Sequence, residues 1–459
     1  MKETRPFSMK DKIGYTLGDL GCCCTEQFRA MYLAIFYTLV LKVNPVHVGI
    51  LMLITKFWDA INDPLIGALV DSHKNKGKGK FIPWIKFFAF PTAVLCILGF
   101  VNVSNFAYGA RIAYMFITYI VYEIMYTCVS VPFGSLSSVM TDDVNQRTDL
   151  SRFRSLGGTI FMTVIVIAGP LFLYKDNQPV PSHFLIMSAI CAVIGLICLM
   201  FTSHWCKERI ITEPVDEKKE KLNYFQVIKD ITKNKALLGV MLSSFIGIVG
   251  AGMVNGLNTY LFRDYFGNVA IMAVSGMLSV IWSLIAFVGT KFVAKKFGKK
   301  EWIMYSATFS VVVYAILFFF PLENPMLFII INGICYLGVS GFQVLVWALV
   351  NDAIDYQELQ TGKRNEGIVY SAYTFFRKLA NAVSGSMSSF ALAIAGFQVN
   401  EAVQNEAFSG HLWKTYTGLY VVGYLLAVLV LKFIYPLTKE KTAEMLQDLA
   451  DKRNAATAE

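Results

Sequence analysis

Charged residues are scarce in this chain, and histidine is rarer still. Asp, Glu, Lys and Arg make up 16% of the 459 residues, and only five residues are histidine. An average soluble domain carries about 25% charged residues. No GxxxxGK[ST] phosphate-binding loop occurs in the sequence. The low charge argues against a soluble globular protein, and the missing loop argues against an ATP-driven pump.

The nine cysteines lack the spacing of a metal site. Cys22, Cys23 and Cys24 are adjacent, the others are scattered, and no CxxC motif with a partner pair is present. The histidines fall in loops or at the ends of apolar runs, so no pairing of nucleophile and base accompanies the acidic residues. The sequence therefore predicts neither an enzyme nor a bound cofactor.

Hydrophobic residues make up 55% of the chain and are gathered into long runs. A helix of about 20 apolar residues crosses a hydrocarbon core about 30 Å thick. The twelve runs that are long enough lie at about 15–42, 47–70, 82–103, 110–140, 155–174, 183–204, 236–262, 268–290, 302–321, 325–350, 368–397 and 412–435. This pattern predicts an all-α membrane protein with twelve transmembrane helices.

Lysine and arginine are concentrated in alternate loops between these runs. The loops at 74–80 and 291–300 are rich in lysine, whereas intervening loops carry single cations such as Arg111. Cytoplasmic loops of membrane proteins carry an excess of lysine and arginine. The pattern predicts that both termini are cytoplasmic. The net charge of +9 is therefore explained by loops that face a membrane surface, and it does not indicate a nucleic-acid partner.

The longest polar stretch divides the runs into six and six. It contains the charged sequence Asp216–Lys221 and predicts a cytoplasmic linker at 206–235. The linker would join an N-terminal six-helix bundle at 1–205 to a C-terminal six-helix bundle with a cytoplasmic tail at 236–459. The ends of the fourth and tenth runs also resemble each other, as in transporters built from parallel repeats. We therefore expect two pseudo-symmetric halves.

Two aspartates stand inside the second apolar run. Asp59 and Asp63 are four residues apart in the motif WDAINDP, so a helix places both carboxylates on one face. A carboxylate in a membrane span persists where it faces a bundle interior, a cavity or a cation. The pair therefore predicts a coupling-ion site. The alternative is that the two aspartates only form salt bridges, with Lys56 or Lys378.

Several motifs resemble those of a known family. WDAINDP at 58–64 precedes GKGKFIPW at 77–84, and GYTLGDLG at 14–21, VPFGSL at 131–136 and NDAIDYQELQTGKRNEG at 351–367 stand in the expected order. Together they resemble the glycoside-pentoside-hexuronide:cation symporters of the major facilitator superfamily, typified by melibiose permease. The resemblance implies a monomeric transporter of the bacterial cytoplasmic membrane that imports a glycoside with Na⁺ or H⁺ by alternating access.

The resemblance also assigns residues by position. It implies that Asp59, Asp63 and the hydroxyl of Thr127 bind the cation, with the two aspartates as metal ligands if the cation is sodium. The melibiose permease branch carries acidic residues, which hold neutral sugar hydroxyls, at the positions of Cys23 and Ser130. Both acids are missing from this chain. Their absence counts against a neutral galactoside.

Cationic residues stand in the eleventh run instead. Arg377 and Lys378 are adjacent in mid-span, where a lysine or arginine costs about 2.5–3.5 kcal/mol on insertion scales. The pair resembles that of the glucuronide carrier branch. A guanidinium can hold a carboxylate or sulfonate through two hydrogen bonds. The sequence thus favours an anionic sugar such as a glucuronide or a sulfoquinovose-like sugar, with a neutral pentoside or galactoside, or a lysolipid carried with sodium, as alternatives.

Further residues complete the predicted sites. The substrate candidates are Cys23, Arg29, Tyr126, Ser130, Arg154, Trp347, Thr374, Arg377 and Lys378. Arg29 has an alternative role, because Glu26 three residues earlier could neutralise it. The candidates for a cytoplasmic gate are Asp71, Arg147, Asp352, Asp355 and Arg364. Ion pairs among these gate residues would hold an outward-facing state, and a solvated loop face is the alternative.

Overall fold

Helices dominate the computed structural model, which describes residues 5–72, 79–210, 234–361, 366–401 and 404–458. Within these ranges the helices are α1 Met9–Ile35, α2 Pro45–Ser72, α3 Ile82–Leu98, α4 Tyr108–Met140, α5 Val144–Leu173, α6 Pro181–Trp205, α7 Lys235–Tyr260, α8 Ile271–Phe297, α9 Lys299–Phe319, α10 Pro325–Thr361, α11 Glu366–Ile394, α12 Glu406–Phe433 and α13 Lys439–Ala458. π-Helical turns at Phe36–Val40 and Leu261–Tyr265 extend α1 and α7. Two short antiparallel strands, Tyr174–Lys175 and Gln178–Pro179, join α5 to α6.

Each of the twelve predicted spans corresponds to one of the helices α1–α12, which confirms the predicted fold class. Seven helices in the described ranges are long and apolar enough to cross a membrane on their own composition, and α3 is apolar but shorter. α1 and α2 carry acidic residues inside the span, among them Asp19 and Asp59. These residues belong to the polar sites described below.

Two helices, α5 and α10, extend furthest beyond the apolar runs that predicted them. α5 starts at Val144 instead of 155, because Asp143 caps it and accepts hydrogen bonds from the backbone N–H groups of Asn145 and Gln146. α10 runs on to Thr361 instead of ending at 350. Helical hydrogen bonding does not require an apolar sequence. These helices therefore continue past the predicted membrane boundary, and the hydropathy pattern could not reveal their true ends.

The chain divides into two compact units, Met1–Lys218 with Gln398–Ala402 and Lys219–Phe397 with Val403–Glu459. In the first unit, α1 packs closely on α5. A Cβ added to Gly157 would lie 2.5 Å from the carbonyl oxygen of Thr16 and 2.8 Å from the amide nitrogen of Leu20. Small residues let transmembrane helices approach in this way. The first unit thus holds α1 and α5 at a distance that only glycine permits.

The second unit uses small residues in the same way. Gly252 and Gly256 of α7 lie against Ser384 and Ser388 of α11, where a Cβ on either glycine would collide with the serine side chain. The predicted cytoplasmic tail forms α13, whose Met445 and Leu449 are buried in one hydrophobic cluster with Leu349, Val350 and Tyr435. The tail is therefore a packed part of the second unit.

Candidate cation and sugar sites

Asp59 and Asp63 lie on successive turns of α2. Asp63 Oδ1 accepts a hydrogen bond from the hydroxyl of Thr127 in α4 at 3.3 Å, so the structure brings these two predicted cation ligands together. Asp59 Oδ2 lies 2.9 Å from the ammonium of Lys56, whereas its Oδ1 is buried and has no hydrogen-bond partner among the described residues. The salt bridge to Lys56 that the sequence offered as an alternative is thus present at Asp59.

Pro64 deprives one backbone carbonyl of α2 of its usual helical hydrogen bond. The helix continues through Pro64, but proline has no N–H to donate to the carbonyl four residues earlier, at Ala60. That carbonyl lies between the two aspartates in the sequence and lacks its helical donor. Carboxylate, hydroxyl and carbonyl oxygens are the ligands that hard cations prefer. The sequence signal for this extra oxygen was the Asp63–Pro64 step.

Further charged groups surround the pair. Glu123 of α4, one helical turn before Thr127, is 4% exposed, and it interacts electrostatically with Glu26, Lys56, Asp59 and Arg29. No cluster of three or more His, Cys, Asp and Glu side chains suited to a metal ion occurs in the described part of the chain. A cation bound here would therefore depend on two carboxylates supplemented by neutral oxygens.

Arg29 lies deep in the first unit. Its guanidinium stacks on Tyr122 at 3.5 Å from the ring centroid, with Tyr119 at 5.0 Å, and the residue is 2% exposed. None of its side-chain nitrogens has a hydrogen-bond partner within the described ranges. The ion pair with Glu26 that the sequence offered as the alternative is not formed among the described residues. The guanidinium reaches across to the aromatic faces of α4, which stabilise a cation through the ring quadrupole.

Asp19 of α1 is a site residue that the sequence reasoning missed. Its Oδ1 accepts a hydrogen bond from Arg154 Nε of α5 at 3.0 Å, and its Oδ2 accepts one from the backbone N–H of Gly158 at 3.0 Å. The thiol of Cys23 lies 4.0 Å from the same Oδ2. The only signal in the sequence was an acidic residue within the apolar run, in the motif GYTLGDLG. The structure thus brings together two predicted substrate residues, Cys23 and Arg154, around an unpredicted carboxylate.

Two more predicted substrate residues lie on α4. The ring of Tyr126 stacks on that of Tyr122, with centroids 5.7 Å apart and an interplanar angle of 9°. Ser130 is half-buried one turn further along the helix. Tyr126 therefore belongs to the aromatic group that packs around Arg29.

In the second unit the predicted substrate residues form an aromatic and cationic group. Trp347 of α10 stacks on Tyr370 of α11, with centroids 5.3 Å apart and an interplanar angle of 24°. The guanidinium of Arg377 lies 5.6 Å from the Trp347 ring centroid. The hydroxyl of Thr374 is buried and without a hydrogen-bond partner in the described segments, and Lys378 is exposed. This group therefore offers an indole face, a guanidinium and a hydroxyl to a ligand.

Two of the predicted gate residues, Arg147 and Asp352, contact partners inside their own units. Arg147 donates to the backbone oxygens of Ser138 and Thr141 at the end of α4. Asp352 pairs with Lys299 at 2.6 Å. Asp71 lies in the last turn of α2 and Asp355 lies in α10, whereas Arg364 lies outside the described residues. A gate formed by these residues stays a prediction.

Comparison with known proteins defines the class. A family model described as MFS/sugar transport protein matches residues 14–439. The chain belongs to this family of major facilitator transporters, and it is a multi-pass membrane transport protein rather than an enzyme. Membership agrees with the resemblance inferred from the motifs.

Individual relatives cover almost the whole chain. The uncharacterized symporter YjmB of Bacillus subtilis is 32% identical, with 97% of this chain and 96% of the relative aligned. A putative sulfoquinovose importer of Salmonella typhimurium is 28% identical over 98% of this chain and 94% of its own. A glucuronide carrier protein homolog of Escherichia coli is 24% identical over 97% of this chain and 96% of the relative.

Solved structures agree on the fold. A bacterial homologue of the iron transporter ferroportin, in its inward-facing state, superposes with a TM-score of 0.65 at 13% identity, covering 94% of this chain and 100% of that one. A D-xylose–proton symporter gives a TM-score of 0.59 at 15% identity, covering 94% and 98%. At these identities the similarity concerns the fold alone.

Proposed function

We propose that this protein is a cation-coupled symporter that imports an anionic glycoside by alternating access. The symport of sugars is supported by family membership and by relatives named as a sulfoquinovose importer, a glucuronide carrier homolog and an isoprimeverose transporter. Nothing in the proposal requires a cofactor beyond the coupling ion, sodium or proton.

One observation supports the cation site above all. The hydroxyl of Thr127 and the carboxylate of Asp63 meet within hydrogen-bonding distance inside apolar helices, one turn from Asp59. A carboxylate in a membrane span is energetically costly, so such residues are rare and usually serve a function. Two carboxylates with a hydroxyl suit sodium, and one carboxylate in protonated form suits a proton. Cation binding at this site would favour sugar binding, and by linkage the sugar would favour cation binding equally.

The anionic character of the sugar is supported by the group around Arg377. Its guanidinium lies over Trp347 and forms no ion pair within the described ranges. A sulfonate or carboxylate could take two of its hydrogen bonds, while the apolar face of a sugar ring stacks on the indole. Two relatives have names that refer to sulfoquinovose and to a glucuronide, which are anionic sugars. The relative named for isoprimeverose keeps a neutral pentoside as the second candidate.

Uptake into proteoliposomes tests the proposal. The purified protein would be offered a glucuronide, a sulfoquinovoside, a xyloside, a galactoside and a lysolipid, each with and without sodium and with and without a proton gradient. We expect accumulation of the two anionic sugars, driven by one of the two cations. Preference for the xyloside or galactoside would show that the substrate is a neutral sugar. Transport of lysolipid without any sugar would overturn sugar symport.

A further inference from the structure

The ammonium of Lys56 lies at the carboxylate where the coupling cation is proposed to bind. Lys56 Nζ is 2.9 Å from Asp59 Oδ2, on the same helix and one turn earlier, and the other oxygen of Asp59 is buried without a hydrogen-bond partner among the described residues. We propose that Lys56 is a tethered competitor of the coupling cation, which holds Asp59 while the cation is absent and leaves it when the cation binds. This inference rests on the cation site proposed above.

Electrostatics makes the two states of Lys56 exclusive. A sodium ion within ligand distance of Asp59 would stand a few ångströms from an ammonium that contacts the same carboxylate. Two like charges at such a short distance repel each other strongly where little water is present. The side chain of Asp59 is only 21% exposed, so solvent offers limited screening. The ammonium must therefore move away before Asp59 can become a full ligand of the cation.

The surroundings provide a second position for the ammonium. Besides Asp59, Lys56 interacts electrostatically with Glu123 of α4 and Glu26 of α1. Glu123 is almost fully buried, and Glu26 Oε2 is buried with no hydrogen-bond partner in the described part of the chain. Arg29, the other cation here, stacks on a tyrosine ring of α4, and its side-chain nitrogens donate no hydrogen bond to either carboxylate within the described residues. Lys56 can thus exchange one carboxylate for another without losing its counter-charge.

This arrangement predicts the sign of a mutational effect. If Lys56 competes with the cation, Lys56→Gln raises the affinity for sodium, by roughly tenfold, which corresponds to about 1.4 kcal/mol. If Lys56 only orients Asp59 for the cation, the same change lowers the affinity. Lys56→Arg keeps the charge and is expected to stay close to wild type. Lys86→Gln removes an exposed lysine of α3 in the same unit and is the matched control, with unchanged affinity.

The experiment is calorimetric titration of sodium into the full-length purified protein, with ionic strength held constant by choline chloride. Thermal unfolding checks that each variant is folded, and Lys56→Met replaces Lys56→Gln if the latter does not fold. Tighter sodium binding in Lys56→Gln alone supports the inference. Unchanged or weaker binding in Lys56→Gln, with binding abolished in Asp63→Asn, overturns the tethered competitor and leaves the cation site standing.

Other outcomes are equally decisive. If Lys56→Gln binds sodium and wild type binds none, the result supports the inference, because it means that Lys56 prevents sodium binding to Asp59 altogether. Absence of binding in both would overturn the sodium site and the inference with it. The second position is tested by Glu123→Gln, which should weaken sodium binding in wild type and do so less in the Lys56→Gln background. An equal loss in both backgrounds would exclude Glu123 as the acceptor of the ammonium.

Discussion

The Asp19 carboxylate binds Arg154 Nε at 3.0 Å, and the two residues are held in register by a hydrogen bond from the Gly158 amide to the same carboxylate. One side chain of α1 therefore fixes both the backbone and a guanidinium of α5. Arg154 also lies over the ring of Phe133, at 5.3 Å. The guanidinium thus keeps a defined direction although its side chain is 45% exposed.

We expect Asp19→Ala to lower the free energy of unfolding by about 1.5–3 kcal/mol, the scale of hydrogen bonds to a charged group. The reason is that Arg154 and the Gly158 amide both lose their acceptor. Asp149→Ala is the matched control, because Asp149 pairs with Lys12 across the same two helices but in a more exposed position. Thermal unfolding of the two variants in one detergent measures the difference. Equal shifts would show that Asp19 is no more than another surface ion pair.

Asp63→Asn is expected to abolish cation-driven accumulation of sugar while leaving folded protein in the membrane, and Asp59→Asn is expected to have a weaker effect. Asp63 accepts a hydrogen bond from the hydroxyl of Thr127, whereas Asp59 already has Lys56 as a counter-charge. Uptake against a concentration gradient, with facilitated exchange as the control for folding, distinguishes lost coupling from lost protein. Concentrative uptake by both variants would exclude these carboxylates from coupling.

Arg377→Gln is expected to weaken binding of a glucuronide by about 1.5–3 kcal/mol and to affect the glucoside of the same aglycone far less. The expectation follows from the position of the guanidinium over Trp347. Lys378→Gln tests the neighbouring cation in the same way. The measurement is ligand binding to purified protein at fixed sodium concentration and pH. A similar loss for both sugars would assign the cations to coupling or folding.

Gly157→Ala is expected to destabilise the first unit by about 1–3 kcal/mol, as overpacking does. The new methyl group would meet backbone atoms of α1, which cannot rotate away as a side chain could. Gly134→Ala is the matched control, because a Cβ at Gly134 of α4 has no neighbour within 4 Å and alanine favours a helix over glycine. Unfolding midpoints compare the two. A neutral Gly157→Ala would mean that α1 and α5 can separate without cost.

The sequence predicted local features and left the distant pairings open. It predicted the twelve helices and the pair Asp59 and Asp63, because hydropathy and helical spacing are local properties, whereas Thr127 was proposed from the resemblance to a known family. It could not assign a role to Asp19, since the partner Arg154 is 135 residues away. It also assigned Arg29 a partner on its own helix, whereas the preferred contacts are tyrosine faces on α4. Tertiary packing decides such contacts, and a single sequence does not encode them in its periodicity.

The C-terminal helix has a consequence for biosynthesis. Met445 and Leu449 of α13 share a buried cluster with Leu237 and Val240 of α7, the first helix of the second unit. During translation, the beginning of that cluster therefore leaves the ribosome about two hundred residues before its end, and at ordinary elongation rates of about 5–20 residues per second the delay is on the order of ten seconds or more. The nascent second unit must keep an incomplete core in or at the membrane until the last segment of the polypeptide arrives.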